Sequence, residues 1–292
     1  MELRTLRYFA EVAKAGTVSA AAENLHVTQP GLSRQLRQLE RQLGIRLFDR
    51  SGGRLAPSAA GRDLLPRVHQ LLADAERLAL GARVLATGQL DRMTIAAPAT
   101  TLAEVVAPFI ATLDPADPTP SAFACDGYET HAALRAGADL VITNGRPAET
   151  LRSIAIGVLP VWAYLAKVHR WAARDSIDLA DLEAETIICL PMTFSARQVL
   201  DAAARHTHQT VGVDIEASSG AVAQALAAAG RGIAVVTDDP RFDLARTTIT
   251  AGADPLNLHL FAAWDPVHPA HSTLAAIAER LAEHINDHYG SS

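Results

Sequence analysis

The sequence predicts an α+β chain of several domains: a helical head closed by a short β-wing, a long linker helix, and a two-lobed α/β body. Three observations carry this reading. Residues 19–43 form two helical stretches joined by a tight turn. Residues 58–88 place Leu64, Val68, Leu71, Ala75, Leu78, Ala82 and Leu85 at alternating spacings of four and three, a heptad stripe. From Met93 onward short apolar runs alternate with helical stretches, the sequence form of an α/β fold with largely parallel sheets.

A chain of 292 residues suits two or three compact units, and 49% hydrophobic against 20% charged residues is a globular composition. The net charge of −6 hides an asymmetry. Residues 1–90 hold 13 Arg and Lys against 8 Asp and Glu, which leaves 13 against 24 for residues 91–292. A basic head suits nucleic acid; an acidic body does not. The first 16 residues carry charges throughout, unlike a signal peptide, and no apolar run is long enough to span a bilayer. The two cysteines, Cys125 and Cys189, provide no disulfide framework and fit a reducing cytoplasm. Both sit in apolar runs and read as small buried hydrophobes, with redox sensing as the alternative.

Along the chain, Leu3, Leu6, Phe9, Ala10 and Ala13 share one helical face over residues 2–15, and Gly16 stops that helix. The next runs from an N-cap at Ser19 to Leu25. His26 and Val27 make the turn, Thr28 caps the following helix, and Pro30 sits in its first turn, where a missing N–H leaves no bond unmade. Leu32, Leu36, Leu39 and Leu43 form an inward stripe. Arg34, Arg37 and Arg41 lie roughly opposite, with Gln29 and Ser33 near the N-terminal end. Such a helix offers donors and acceptors to base edges and guanidinium groups to phosphate and guanine; taken alone, the arginines equally describe a solvated face. Ser51-Gly52-Gly53 is the turn of the wing, bracketed by Arg50 and Arg54, which can reach phosphates or the minor groove. The long helix spans Ser58 to about Gly88 with Pro66 early in it, and its seam asks for a partner, most simply the same helix of a second subunit.

Several quoted motifs point to a family. Gln29-Pro30, Ser33-Arg34, Leu39-Glu40, Leu43-Gly44 and Leu47-Phe48-Asp49-Arg50 appear in the order seen at the N-terminus of LysR-type transcriptional regulators, which this stretch closely resembles. Pro57-Ser58-Ala59-Ala60-Gly61 stands where that family usually has Leu-Thr-x-Ala-Gly. In the body, Leu134-x-x-Gly137-x-Asp139-Leu140-x-Ile142 and Ala229-Gly230-Arg231-Gly232-Ile233-Ala234 again resemble the family. The resemblance implies a winged helix-turn-helix over residues 1–58, a linker and dimerisation helix over 59–90, and an effector-binding domain over 91–292 with the bilobal fold of periplasmic solute-binding proteins. Lobe I would take residues 91–161 and 265–292 and lobe II residues 162–264, with crossovers near Pro160-Val161 and Trp264-Asp265. It implies Thr28, Gln29, Pro30, Ser33, Arg34, Arg37, Arg50 and Arg54 as DNA contacts. The partners implied are duplex DNA carrying an interrupted palindrome that the protein bends, a small-molecule effector, further copies forming dimers and tetramers, and RNA polymerase. A membrane is not among them.

In open α/β sheets ligands sit beyond the carboxyl ends of strands, against helix N-termini. Thr100 and Thr101 follow the first strand of lobe I, Thr143 and Asn144 its third, and Thr193, Phe194 and Ser195 the equivalent strand of lobe II. Their hydroxyls cap helices, bind ligand, or do both; the resemblance places effector contacts at these points. Arg146 reads as an exposed loop residue or as a counter-charge to an anion. Enzyme signatures, cofactor fingerprints and a supported metal-ligand set are absent from the sequence, the pairs around His206, His268 and His284 included. A solute-binding component is the second reading and an enzyme of the same α/β class the third.

Overall fold

The first helix, α1 (Leu3–Ala15), ends where Gly16 turns left-handed. That turn throws Thr17 into extended backbone, so Thr17 caps α2 (Val18–Asn24): its Oγ1 accepts the Ala20 N–H at 3.2 Å. Ser19, the cap expected from the sequence, lies inside the helix, one residue past its start. α3 (Gln29–Leu43) begins from Thr28, whose Oγ1 accepts the Gly31 N–H at 3.3 Å. Leu32, Leu36 and Leu39 bury their side chains with Leu6, Phe9 and Val12 of α1, while Leu43 is only partly covered. Each fully buried large apolar chain is worth roughly 1.5–3 kcal/mol, enough to fix three short helices that would not persist alone. The computed structural model describes residues 2–51, 54–87 and 90–290. The chain divides into two compact units, with the boundary after residue 88.

The wing is the antiparallel pair β1 (Phe48–Ser51) and β2 (Arg54–Pro57). Phe48 meets Phe9 edge to face with ring centroids 5.4 Å apart. The turn residues Gly52 and Gly53 and the side chains of Arg50 and Arg54 lie outside the described residues. Two motif residues tie the wing to its neighbours. Glu40 accepts the Leu47 N–H at 2.8 Å, and Ser58 donates from Oγ to the Arg46 carbonyl at 2.6 Å while accepting the Gly61 N–H at 3.0 Å. Gly61 has no room for a side chain, because a Cβ there would stand 2.2 Å from the Leu47 carbonyl oxygen. Pro57 is accommodated as the last residue of β2, opposite Phe48, with its carbonyl accepting from Arg62 at 2.7 Å.

α4 (Ala59–Thr87) runs unbroken through Pro66. Its heptad stripe divides in two. Leu64 and Val68 pack into the head core, whereas Leu71 and Leu78 are 42% and 77% exposed; the Leu85 side chain lies outside the described residues.

The second unit holds two mixed sheets. In the first, β3 (Arg92–Ala97) lies parallel between β4 (Thr119–Ala124) and β5 (Leu140–Thr143), and β14 (Asn257–Trp264) runs antiparallel between β5 and β6 (Arg152–Pro160). In the second, β9 (Ile187–Cys189) is parallel to β10 (Ile215–Glu216) and β11 (Ile233–Val236), and β7 (Trp162–Leu165) and β12 (Ala245–Ala251) extend it antiparallel, with β8 (Ser176–Asp178) and β13 (Asp254–Pro255) on β12. The outward crossover falls at Pro160-Val161, but the return differs from the expectation at Trp264-Asp265. β14 pairs with β6 from Asn257↔Pro160 onward, so the chain re-enters lobe I just after Leu256, whose carbonyl accepts the Val161 N–H at 2.8 Å. Residues 257–264 belong to lobe I because β14 fills the gap between β5 and β6, where the side chains of Leu258, Leu260, Ala262 and Ala263 are buried.

The two body motifs are structural. Asp139 accepts the Thr94 N–H at 2.7 Å and faces the buried His268 Nε2 at 3.1 Å; His268 Nδ1 accepts the Ala270 N–H, so Nε2 carries the proton toward Asp139. In the glycine motif, Gly232 has φ +151°, and a Cβ there would sit 2.3 Å from the Thr186 carbonyl, which accepts the Ile233 N–H to start β11 beside β9. Among the described residues no helix is long and apolar enough to cross a membrane.

Candidate functional site

Two regions bring the sequence-predicted residues together. In the head, Thr28, Gln29 and Pro30 are exposed at the start of α3, and Arg34 and Arg37 are exposed along the same helix. Ser33 is half-buried and opens on a groove with Val18, Arg37, Phe48 and Asp49, between α3 and the wing. Glu40, the nearest acid on the helix, has its carboxylate engaged by the Leu47 N–H. Among the described residues Arg34, Arg37 and Arg41 have no carboxylate within ion-pair distance, so their guanidinium groups are available to an external anion. The capped start of α3 presents this polar edge on a helix anchored from behind by three buried leucines.

In the body, a cleft of about 360 Å³ opens where parallel strands of both lobes end. Pro98, Ala99, Thr100 and Thr101 follow β3; Ala124 ends β4, and Cys125, Asp126 and Gly127 follow it; Leu190, Thr193, Phe194 and Ser195 follow β9; Thr237 follows β11; and Leu258 lies near the crossover. Thr100, Thr101, Thr193, Phe194 and Ser195 therefore meet in one cavity. Thr143 and Asn144 do not line it. Thr143 is buried, and its hydroxyl donates to the Gly127 carbonyl; Asn144 donates through Nδ2 to Ser195 Oγ, a direct bridge from lobe I to lobe II. Arg146 is exposed and is not among the lining residues.

The helix starts at the cleft share a feature. The helix over residues 99–110 opens from Pro98, and the helix Ser195–His206 opens from Phe194, neither with a side-chain cap. Thr100, Thr101 and Thr193 thus leave the first N–H groups of their helices open, contrary to the capping alternative, and the cleft collects both positive dipole ends. The lining holds no Lys, Arg or His, and Asp126 is its only carboxylate.

The cysteines are not activated. Burial, then the neighbouring Asp126 charge, raises the Cys125 thiol above its ordinary range, and burial pushes Cys189 up to about 11, with its S–H directed at the Val235 carbonyl. A redox sensor needs thiolate, which both environments suppress. Among the carboxylates, Asp238, after β11, is held well above its ordinary range. The residue is 6% exposed, and its carboxyl packs against Gly220, where a Cβ would stand 2.0 Å from the Asp238 Cγ. Burial, reinforced by the nearby Glu104 charge, pushes it up to about 6.

Sequence reasoning missed Cys125, Asp126, Thr237 and Leu258. The first three follow strands β4 and β11 just as Thr100 follows β3, so the strand-end rule that found the threonine reaches them too. Leu258 carries no such signal, since its place depends on the crossover.

Comparison with known proteins fits this geometry. Residues 3–62 match the bacterial regulatory helix-turn-helix proteins of the lysR family, and residues 86–286 match the LysR substrate binding domain. The transcriptional activator protein LysR of Escherichia coli (strain K12) is 27% identical over 98% of this chain and 92% of its own length. The HTH-type transcriptional regulator TfdT of Cupriavidus pinatubonensis (strain JMP 134 / LMG 1197) is 37% identical over 112 residues, 38% of this chain and 49% of TfdT. Matches to TcbR and ClcR of Pseudomonas likewise span 33% of those proteins. Among solved structures, CbnR, a LysR family transcriptional regulator, superimposes with TM-score 0.70 at 22% identity over 99% of both chains. Full-length CbnR complexed with its target DNA gives 0.71 at 23% identity over 96% of this chain and 100% of that one. The structural likeness establishes the fold, and the substrate-domain match over more than half of the sequence establishes kinship: the chain belongs to the LysR family.

Proposed function

We propose that the protein is a DNA-binding transcriptional regulator in which α3 reads the operator and a small molecule held in the interlobe cleft alters promoter binding and DNA bending. The observation that carries the first half is the exposed face of α3, where Gln29 stands at the tip and Arg34 and Arg37 have no carboxylate partner among the described residues. Arginine there supplies phosphate attraction, and the tip residues supply base discrimination. Arg34→Ala should weaken binding to every duplex and flatten its salt dependence by about one unit of slope. Gln29→Ala should instead relax base preference by roughly 1–3 kcal/mol at one position. Footprinting on DNA adjoining the protein's own gene, with random duplex as control, checks both; equal losses from Gln29→Ala on specific and random DNA would remove it as a base reader.

We also propose that the exposed Leu71 and Leu78 form the seam of a dimer through α4. A leucine 77% exposed on a long helix is stabilised by covering it, and an equivalent helix supplies a matching stripe. Leu78→Asp should convert the full chain to smaller species in sedimentation and weaken binding to a two-half-site operator, leaving single half-site affinity unchanged. Tetramer formation and contact with RNA polymerase belong to the same proposal. The cleft supports a sensing role, since it offers hydroxyls and open helix N–H groups, and its lining thiol, Cys125, is held above its ordinary range by burial.

A further inference from the structure

The helix behind Thr100 and Thr101 is irregular. It runs Ala99–Thr101, widens into a π turn over Leu102–Val106, and finishes as Ala107–Ile110. Pro108 gives the physical reason: it has no N–H for the Glu104 carbonyl four residues back, and its ring crowds that carbonyl. Glu104, inside the π turn, reaches lobe II. Its Oε1 accepts from Arg241 Nη2 at 2.8 Å and its Oε2 accepts the Asp239 N–H at 3.4 Å.

The receiving segment is held rigidly. Gln224, fully buried, donates to the Asp239 carbonyl at 2.9 Å and accepts the Arg241 N–H at 2.7 Å. The Tyr289 hydroxyl, from the helix His271–Tyr289, lies 3.3 Å from Asp239 Oδ1 and 3.5 Å from the Glu104 carbonyl. Glu104 stands three residues beyond Thr101, and Arg241 four beyond Thr237, so both ends of the ion pair continue elements that line the cleft. The Glu104 side chain is only 11% exposed, which weakens solvent screening of the pair.

We propose that Glu104 and Arg241 are a positioning pair, an interlobe latch that sets the spacing between Thr100/Thr101 and Thr237 and so determines whether the cleft is assembled before any ligand arrives. The π turn is the device that aims Glu104 across the gap; Tyr289 and His288 meet Asp239 beside it, and the Asn144–Ser195 bridge joins the lobes elsewhere. The latch takes its regulatory meaning from the reading of this cleft as the effector site, but its geometry stands apart from that reading.

Hydrogen exchange on the full-length protein without ligand tests it, because the readout requires no known effector. In Glu104→Ala or Arg241→Ala, amides of residues 124–128 and 192–198 should exchange about tenfold faster, while amides of α1 and α3 keep wild-type rates. The double variant should be no faster than either single one, since the two groups act as a unit. Exchanging the charges, Glu104→Arg with Arg241→Glu, should restore most of the protection. Wild-type exchange at both cleft walls in the single variants, or additive effects in the double, would overturn the latch. If Glu104→Ala melts the body, Arg241→Gln, at a half-exposed position, must still loosen the walls; protection there would be equally fatal. A latch that passes while no ligand of the cleft is ever found would refute the effector reading alone.

Discussion

Three helices of the head and the two helices that open on the cleft start in different ways. α2, α3 and α4 each begin with a hydroxyl that accepts an early N–H, from Thr17, Thr28 and Ser58. The two helices opening on the cleft begin from Pro98 and Phe194, with their first N–H groups unclaimed by any side chain. α1 and the closing helix also lack side-chain caps, so an open start alone is not diagnostic. What distinguishes the cleft is that two open starts share one cavity with hydroxyls beside them. A capped helix end is finished; an uncapped one is a binding capacity left in place.

The comparison can be broken most directly at the hydroxyls. Thr100→Ala combined with Thr193→Ala should abolish response to an anionic effector, each hydroxyl contributing roughly 1.5–3 kcal/mol as a charge-assisted bond, or about tenfold to a hundredfold in affinity. DNA affinity without effector should stay at its wild-type value, as read by footprinting and calorimetry on the same preparation. Wild-type effector affinity in the double variant would mean the hydroxyls are bystanders.

A helix start already occupied by a carboxylate sharpens the contrast. The helix Gly220–Ala228 is capped by Ser219, and the buried Asp238 carboxyl lies against its first residue. With its folded value raised from 3.8 to about 6, this group takes up a proton on folding at intermediate pH. Its contribution is therefore most favourable below pH 4 and is lost as pH rises through 6. Asp238→Asn should raise the melting temperature at pH 8, where up to about 3 kcal/mol of burial penalty is relieved, and have little effect at pH 4. A shift independent of pH would assign the effect to packing instead.

The smallest effects come from moving caps. Thr28→Ala should cost about 1 kcal/mol of head stability, and Pro98→Asp should stabilise the body by up to about 1 kcal/mol while impairing effector response. Thermal unfolding followed by two probes separates the units. A stabilised body that keeps full response would dissociate the open N–H groups from ligand binding.

How much of this was legible in sequence follows from the range of the interactions. α3 was readable because its leucines, its Thr28 cap and its exposed arginines are all set within fifteen residues. Ser19 reads as the cap in sequence, but Thr17 takes that place through the left-handed Gly16, a backbone effect that a hydroxyl count does not register. Thr100 and Thr193 were found from strand ends, whereas Thr143 and Asn144 obey the same rule yet stand behind the cleft wall, since which strand end faces the cavity depends on sheet order. β12, rich in threonine, carries little apolar signal, and the lobe boundary failed because β14 looks the same in either sheet. The Glu104–Arg241 pair joins residues 137 apart, and only the closed fold makes them neighbours.

The return of β14 to the first lobe has a consequence for how the chain is made. Lobe II is one uninterrupted stretch, but the first sheet lacks the strand between β5 and β6 until residue 264 has been synthesised. On the ribosome, the second half of the body can therefore fold as a unit while its predecessor waits with two open edges. Insertion of β14 into that gap, a contact of high sequence separation, should then be the late event, because its loop-closure entropy must be met first. Synthesis interrupted before Asn257 would leave unpaired strand edges in lobe I and spare lobe II, so aggregation of such truncated chains should begin in the lobe that starts first and finishes last.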